Sequence, residues 1–109
     1  MPVSSPKEFI EQILPQKLTP EKTAEINLTI QFNITGEQGG EWFAKIENGK
    51  VEINTGSIEN PTISIKMKDR DFVRMVNGEL SGKRAFMSGK LKFKGDMGSA
   101  LKLQKLGII

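Results

Sequence analysis

Ala85-Phe86-Met87-Ser88-Gly89-Lys90-Leu91-Lys92-Phe93-Lys94-Gly95-Asp96-Met97-Gly98-Ser99-Ala100-Leu101-Lys102-Leu103 is the stretch whose reading decides the fold of this 109-residue chain. It contains a helix end, a glycine turn, a short alternating strand, a second turn and a new amphipathic helix. In the strand over residues 90–94, Leu91 and Phe93 fall on one face and Lys90, Lys92 and Lys94 on the other, because successive strand side chains point to opposite sides. Gly95 ends the strand. Asp96 suits the N-cap of the next helix, where a carboxylate accepts an orphan backbone N–H.

Working outward, the same grammar recurs along the chain. Ser5-Pro6-Lys7-Glu8 is a helix start with Ser5 at the N-cap, Pro6 in the first position and Glu8 completing a capping box. Phe9, Ile10, Ile13 and Leu14 form an apolar stripe, and Pro15 is expected to stop the helix. Thr19-Pro20-Glu21 repeats the start signal for a short helix ending near Glu25. Ile26, Leu28, Ile30, Phe32 and Ile34 alternate with Asn27, Thr29, Gln31, Asn33 and Thr35, which predicts a strand covered on one face and wet on the other. Residues 36–40 turn into a second strand carrying Trp42, Ala44 and Ile46, with Phe43 on the opposite face. Asn48-Gly49 signals a type I′ hairpin into a third strand with Val51 and Ile53. A polar crossover over residues 54–61 leads to a fourth strand with Ile63, Ile65 and Met67. Asp69 is expected to cap a helix through Asn77, stopped by Gly78, and residues 79–88 form a second, irregular helix. The order predicts an α+β domain over residues 1–109, a meander followed by helices interleaved with two more strands, with the helices covering one sheet face.

The composition narrows the chemistry. There is no Cys, His or Tyr, so thiol chemistry, disulfides, imidazole metal ligands and histidine acid–base catalysis are excluded, and no metal or cofactor is implied. The acids lie scattered and suggest no catalytic pair, which argues against an enzyme. No apolar run approaches the roughly 20 residues that span a bilayer. The first five residues have no basic or apolar region typical of a secretory signal, and the chain ends without a Ser-Lys-Leu peroxisomal address. Cytoplasmic location is the expectation. Charge is unevenly spread: through residue 65 there are five lysines against nine acids, and from Lys66 onward eleven Lys and Arg against four acids. That basic half suits an anionic lipid, an acyl-CoA phosphate or nucleic acid, or serves solubility alone. Sheet-type RNA readers also need exposed aromatics for base stacking, and only Phe43 is available on the lysine-bearing face. The glycines form neither a phosphate loop nor a dinucleotide fingerprint.

The Ala-Phe-x-x-Gly-Lys-Leu-Lys-x-x-Gly-Asp run from Ala85 to Asp96, followed by Leu101-Lys102-Leu103-Gln104, resembles the sterol carrier protein 2 family of intracellular lipid-binding domains. The resemblance extends more weakly over nearly the whole chain. It implies helices packed on one side of a five-stranded mixed sheet, with an apolar tunnel between the layers. It also implies a non-enzymatic lipid-binding or transfer role, with a fatty acid, fatty acyl-CoA, sterol or similar molecule as ligand. The candidate lipid-binding residues are Phe72, Met75, Val76, Phe86, Met87, Phe93, Met97, Ala100, Leu101, Gln104 and Ile108. Taken alone, a Met and Phe stripe at helical spacing ordinarily faces a core. Methionine, unbranched and polarisable, also suits a wall that closes when empty and opens around an acyl chain. Gln104 is either a head-group ligand or an exposed helix-end amide. The apolar residues after Lys102 suggest that the C-terminus docks over the tunnel mouth. Two other readings remain at this point. One is a basic module binding RNA or an anionic membrane without an internal ligand; the other is an accessory domain presenting lipid to an enzyme.

Overall fold

The computed structural model describes residues 2–107. Helix α1 comprises an α-helical start at Pro6–Glu8, a π-helical segment at Phe9–Ile13 and a second α segment at Leu14–Lys17. The Ser5 hydroxyl caps it, accepting from the Glu8 N–H at 3.2 Å. The expected stop at Pro15 does not occur. The Leu14 N–H bonds the Phe9 carbonyl five residues back, and this widened turn accommodates a residue that has no N–H to give. Helix α2 (Pro20–Thr23) follows, with Thr19 as its cap.

Five strands then build the mixed sheet: β1 (Asn27–Thr35), β2 (Gly40–Glu47), β3 (Lys50–Thr55), β4 (Ile63–Lys68) and β5 (Lys92–Lys94). Their spatial order is β3-β2-β1-β4-β5. The β1–β4 pair is parallel and the others are antiparallel. This is the α+β architecture read from the sequence. Asn48 and Gly49 take the positive φ values, 44° and 89°, that a type I′ turn demands. The Gly49 N–H also donates to the Thr23 carbonyl at 2.9 Å, tying α2 to the hairpin.

Leu28, Ile30, Phe32 and Ile34 of β1 are all buried, as are Trp42, Ala44 and Ile46 of β2 and Ile63, Ile65 and Met67 of β4. Phe9, Ile10 and Leu14 of α1 join this core, together with residues of α3 (Asp69–Val76). Phe72 of α3 stands edge-on to two rings, 5.7 Å from Phe9 and 6.2 Å from Phe32 between centroids. Such T-shaped arrangements suit the aromatic quadrupole.

Asp69 serves differently from the cap expected of it. Lys68 occupies the N-cap, while the Asp69 carboxylate accepts from the Arg70 N–H at 2.8 Å and the Gln38 N–H at 3.0 Å. It thereby fastens the β1–β2 turn to the start of α3. At Gly36 in that turn, φ is +105°, and a β-carbon there would collide with the Asp69 carboxylate. The turn needs glycine for both reasons.

The polar sheet face is not uniformly wet. The connection from edge strand β3 to β4 must cross the sheet, and Gln31 on β1 is buried with it. The Gln31 amide nitrogen donates to the carbonyls of Trp42 at 3.1 Å and Gly56 at 3.2 Å, and its oxygen accepts from the Ile58 N–H at 2.9 Å. Alternation alone marks position 31 as polar. It gives no sign that a crossover folds back over it.

Candidate lipid-binding site

The candidate residues expected from the sequence fall on α3, on β5 and on the C-terminal elements that precede and follow β5 in the chain. Helix α4 (Gly82–Met87) is capped by Ser81, whose hydroxyl accepts from the Arg84 N–H at 3.1 Å. Its Ala85 is fully buried, and the chain turns through Gly89 to bury Leu91 just before β5. Phe93 is half-buried opposite Ile65. Helix α5 (Met97–Lys105) begins at Asp96, which accepts from the Ser99 N–H at 2.7 Å. That backbone donor, seconded by the Ser99 hydroxyl, holds the Asp96 carboxyl below its ordinary pKa. The N-cap read from the sequence is therefore made.

The structure divides the expected lipid-binding residues into three groups. Phe72 and Met75 are buried, Phe72 within the aromatic core. Val76, Phe93 and Ala100 are half-buried. Phe86, Met87, Met97 and Leu101 are open to solvent, at 57, 75, 75 and 56% exposure. Gln104 is exposed as well. Ile108 and the docked tail expected after Gly107 lie outside the described residues.

The exposure of Met97 and Leu101 follows from helix geometry. Ser99, Leu103 and Leu106 are the buried positions at the C-terminal end; the first two are one turn apart and the third lies three residues further on. Met97 and Leu101 are also one turn apart, lying about 120° and about 160° away from Leu103, respectively, around the axis at 100° per residue. One apolar stripe anchors the helix and the other faces outward.

Two clefts lie elsewhere. One, of about 410 Å³, is lined by Glu11, Pro15, Trp42, Val51, Ile53, Asn54 and Thr55 on the β3 side of the sheet. The Trp42 indole N–H donates to Glu11 Oε2 at 2.9 Å there. The other, of about 430 Å³, is lined by Pro2, Val3, Phe9, Ile13, Lys17, Val76 and Asn77. Asn77 fastens the N-terminal segment beside it, accepting from the Val3 N–H at 2.7 Å and donating to the Val3 carbonyl at 2.9 Å. Of the expected lipid-binding residues, only Val76 lines either cleft. Sequence reasoning missed the Glu11–Trp42 and Asn77–Val3 pairs because their partners are 31 and 74 residues apart.

On the other face of β4 and β5, Lys66 sits directly opposite Lys92, and Lys94 opposite Ser64. Lys66, Lys68, Lys92 and Lys94 are all exposed. Among the described residues the one ion pair is Lys45 with Glu47 at 3.7 Å, far from this array. No group of three or more metal-binding side chains occurs, and no helix is long and apolar enough to cross a membrane, among the described residues.

A comparison with protein-family models matches residues 7–107 to the SCP-2 sterol transfer family. The chain belongs to that family. Among curated proteins it is 44% identical over 77 residues to hydroxysteroid dehydrogenase-like protein 2 of Xenopus tropicalis, covering 70% of this chain and 18% of the relative. The chain thus spans less than a fifth of that relative's length. Solved structures with the same fold include palmitated sterol carrier protein 2-like 2 of Aedes aegypti, with a TM-score of 0.72 at 23% identity, covering 95% of each chain. The sec-alkylsulfatase Pisa1 of a Pseudomonas species matches with a TM-score of 0.78 at 18% identity, over 95% of this chain and 16% of that enzyme.

Proposed function

We propose that residues 1–109 act as a lipid-binding and transfer module holding one fatty acid, fatty acyl-CoA, sterol or similar apolar molecule between the sheet and the C-terminal helices, with no catalysis of its own. The observation that carries this reading is the placement of Phe86, Met87, Met97 and Leu101. Among the described residues these are the large apolar side chains left substantially in water. They lie on the two helices that precede and follow β5 in the chain, on either side of the half-buried Phe93 in sequence. Clusters of exposed apolar side chains mark binding surfaces far more often than scattered ones do. A ligand entering beneath α5 would have to displace the anchor made by Leu103 and Leu106, and the flexible methionines would close over it. The energetics suffice: at about 0.8 kcal/mol per buried methylene, a dozen methylenes held out of water contribute about 10 kcal/mol before binding costs. Membership of a sterol transfer family and likeness to a palmitated relative support an acyl or sterol-like ligand. The lysines of β4 and β5 suit the phosphates of acyl-CoA and brief contact with an anionic membrane during transfer.

The hydroxysteroid dehydrogenase-like relatives, of which this chain covers at most about a quarter, favour a related role. In it, a domain of this kind presents apolar substrate to a separate enzyme. Titration of the purified protein with a fluorescent acyl probe, alongside native mass spectrometry, tests the common core of both. Binding of one probe per chain is the expected result. A folded protein that takes up no acyl, acyl-CoA or sterol probe would overturn it.

A further inference from the structure

We propose that the groove between α1 and the outer edge of β3 takes an extended peptide of a partner protein as a sixth strand. An arginine or lysine of that peptide lies in the cleft beside Trp42 and reaches the Glu11 carboxylate. Strand β3 is at the opposite edge of the sheet from β5, so this site goes beyond the lipid-carrier reading and is separate from the proposed lipid site.

The two edges of the sheet differ. Strand β5 is three residues long, and so short an edge resists further pairing. Strand β3 runs for six residues and pairs with β2 alone. Among the described residues, no hydrogen bond from the backbone of residues 50–55 leaves that ladder. The outer side of β3 therefore presents a row of N–H and C=O groups without protein partners. Such an edge selects one class of occupant, an extended chain, which pairs with it through main-chain hydrogen bonds.

The side chains beside this edge define what that chain carries. Val51, Ile53 and Thr55 share the helix-covered face with Ile46, Ala44 and Trp42, their respective partners across the β2–β3 ladder. Val51 and Ile53 are half-buried, and with Pro15 and Trp42 they give the cleft of about 410 Å³ its apolar walls. Glu11 is the one charged residue in the lining. The buried Trp42 holds Glu11 Oε2 at 2.9 Å and so fixes the carboxylate at the cleft, while no cation pairs with Glu11 among the described residues. Lys17, further along α1, lies over the Phe9 ring at 5.6 Å from its centroid and lines the other cleft. An anchored, unneutralised carboxylate above apolar walls complements a long cationic side chain. The aliphatic stem lies against Val51 and Ile53, and the charged head pairs with Glu11. Alternate residues of a strand face the same side about 7 Å apart. The residues two places before and after the cation therefore also face the helix layer, where β-branched apolar side chains suit the pleated surface.

The test titrates the full chain with a fluorescein-labelled peptide, Thr-Val-Thr-Arg-Thr-Val-Thr, followed by fluorescence anisotropy. The expected result is saturable binding, with protection from amide hydrogen exchange gained within residues 50–55. The same peptide with Glu in place of Arg should bind about tenfold more weakly. Glu11→Gln, which keeps an oxygen for the Trp42 N–H, should weaken the Arg peptide about fivefold and narrow the gap between the two peptides. Ile53→Lys places a cation in the cleft and should weaken the Arg peptide at least about tenfold. Circular dichroism confirms that each variant is folded. Two N-methylated peptides, one blocked at the Val and Arg nitrogens and the other at the Thr nitrogens, should differ sharply, because a sheet edge pairs with only one side of an added strand. No saturable binding below about 1 mM, equal binding of the Arg and Glu peptides, or protection gained away from residues 50–55 would overturn the groove. Acyl-probe binding without peptide binding would overturn it too and leave the carrier reading standing. Peptide binding without acyl-probe binding would instead remove the carrier reading alone. If sedimentation equilibrium shows a dimer that Ile53→Lys dissociates, a second copy occupies this edge and the proposal fails.

Discussion

Replacing Phe72 by alanine separates core from ligand site at the residue where the two roles are hardest to tell apart. The ring is fully buried, and it contacts Phe9 and Phe32 edge-on at 5.7 and 6.2 Å. Truncating a buried phenylalanine costs about 3–5 kcal/mol through lost transfer free energy and the cavity left behind. Each aromatic pair adds about 0.5–1.5 kcal/mol beyond area burial, which places this site in the upper half of that range. A small domain has only about 5–15 kcal/mol of total stability, so Phe72→Ala should lose a large part of it. Thermal unfolding by circular dichroism should show Tm falling by at least about 15 °C, given roughly 4–8 °C per kcal/mol for a domain near this size. Urea unfolding should show a lower midpoint at an unchanged slope. Met97→Ala, at an exposed position, should move stability by no more than about 0.5 kcal/mol. Suppose instead that Phe72→Ala stays within about 1 kcal/mol of the parent while acyl-probe binding collapses. The ring would then line a cavity, and its assignment to the core would be wrong.

Gln31→Ala should cost about 1–3 kcal/mol in urea unfolding, because it strands the Ile58 N–H and the Trp42 and Gly56 carbonyls that the amide satisfies. Gly36→Ala should destabilise by more than about 1 kcal/mol, since it meets both a positive φ and the Asp69 carboxylate; a neutral result would show that the turn yields freely. Asp69 and Asp96 are held below the ordinary aspartate pKa, Asp69 chiefly by the Gln38 N–H and Asp96 by the Ser99 N–H. Their contribution is therefore present above the ordinary value of about 3.9 and is lost as pH falls below it through the lowered folded values. Unfolding midpoints followed from neutral pH to acid should decline less steeply in Asp69→Asn than in the parent, and identical profiles would contradict the assignment.

Much of the fold is legible because local rules and tertiary packing agree. The period-two pattern of residues 26–35, Asn48-Gly49 and the Asp96 cap each specify one conformation, and the structure adopts it. Pro15 misleads because a π-turn supplies an alternative route around a missing N–H, which the stripe Phe9, Ile10, Ile13 and Leu14 does not reveal. Asp69 misleads because its best donors come from a distant turn at Gln38. The site is less legible for a geometric reason. Helix α5 carries two apolar stripes, Met97–Leu101 and Leu103–Leu106, and periodicity gives no means of choosing which faces inward. The structure buries the second and leaves the first in water. Phe72 and Phe86 likewise share a residue type and a helical setting, yet one is core and the other surface.

The parallel pairing of β1 with β4 also has a kinetic consequence. Strands β1, β2 and β3 are joined by short turns and can pair through local contacts, whereas β4 must return across the whole meander to reach β1. Closing that longer loop is an entropic cost met before any pairing offsets it, so β4 should add to a meander that is already formed. Gln31 sits on β1 with its amide turned toward the path the returning chain must follow. It can hold the crossover before the β1–β4 ladder closes. In that case, shortening it would show as slower folding more than as faster unfolding, and the clamp would act as a guide for assembly as well as a fastening of the finished sheet.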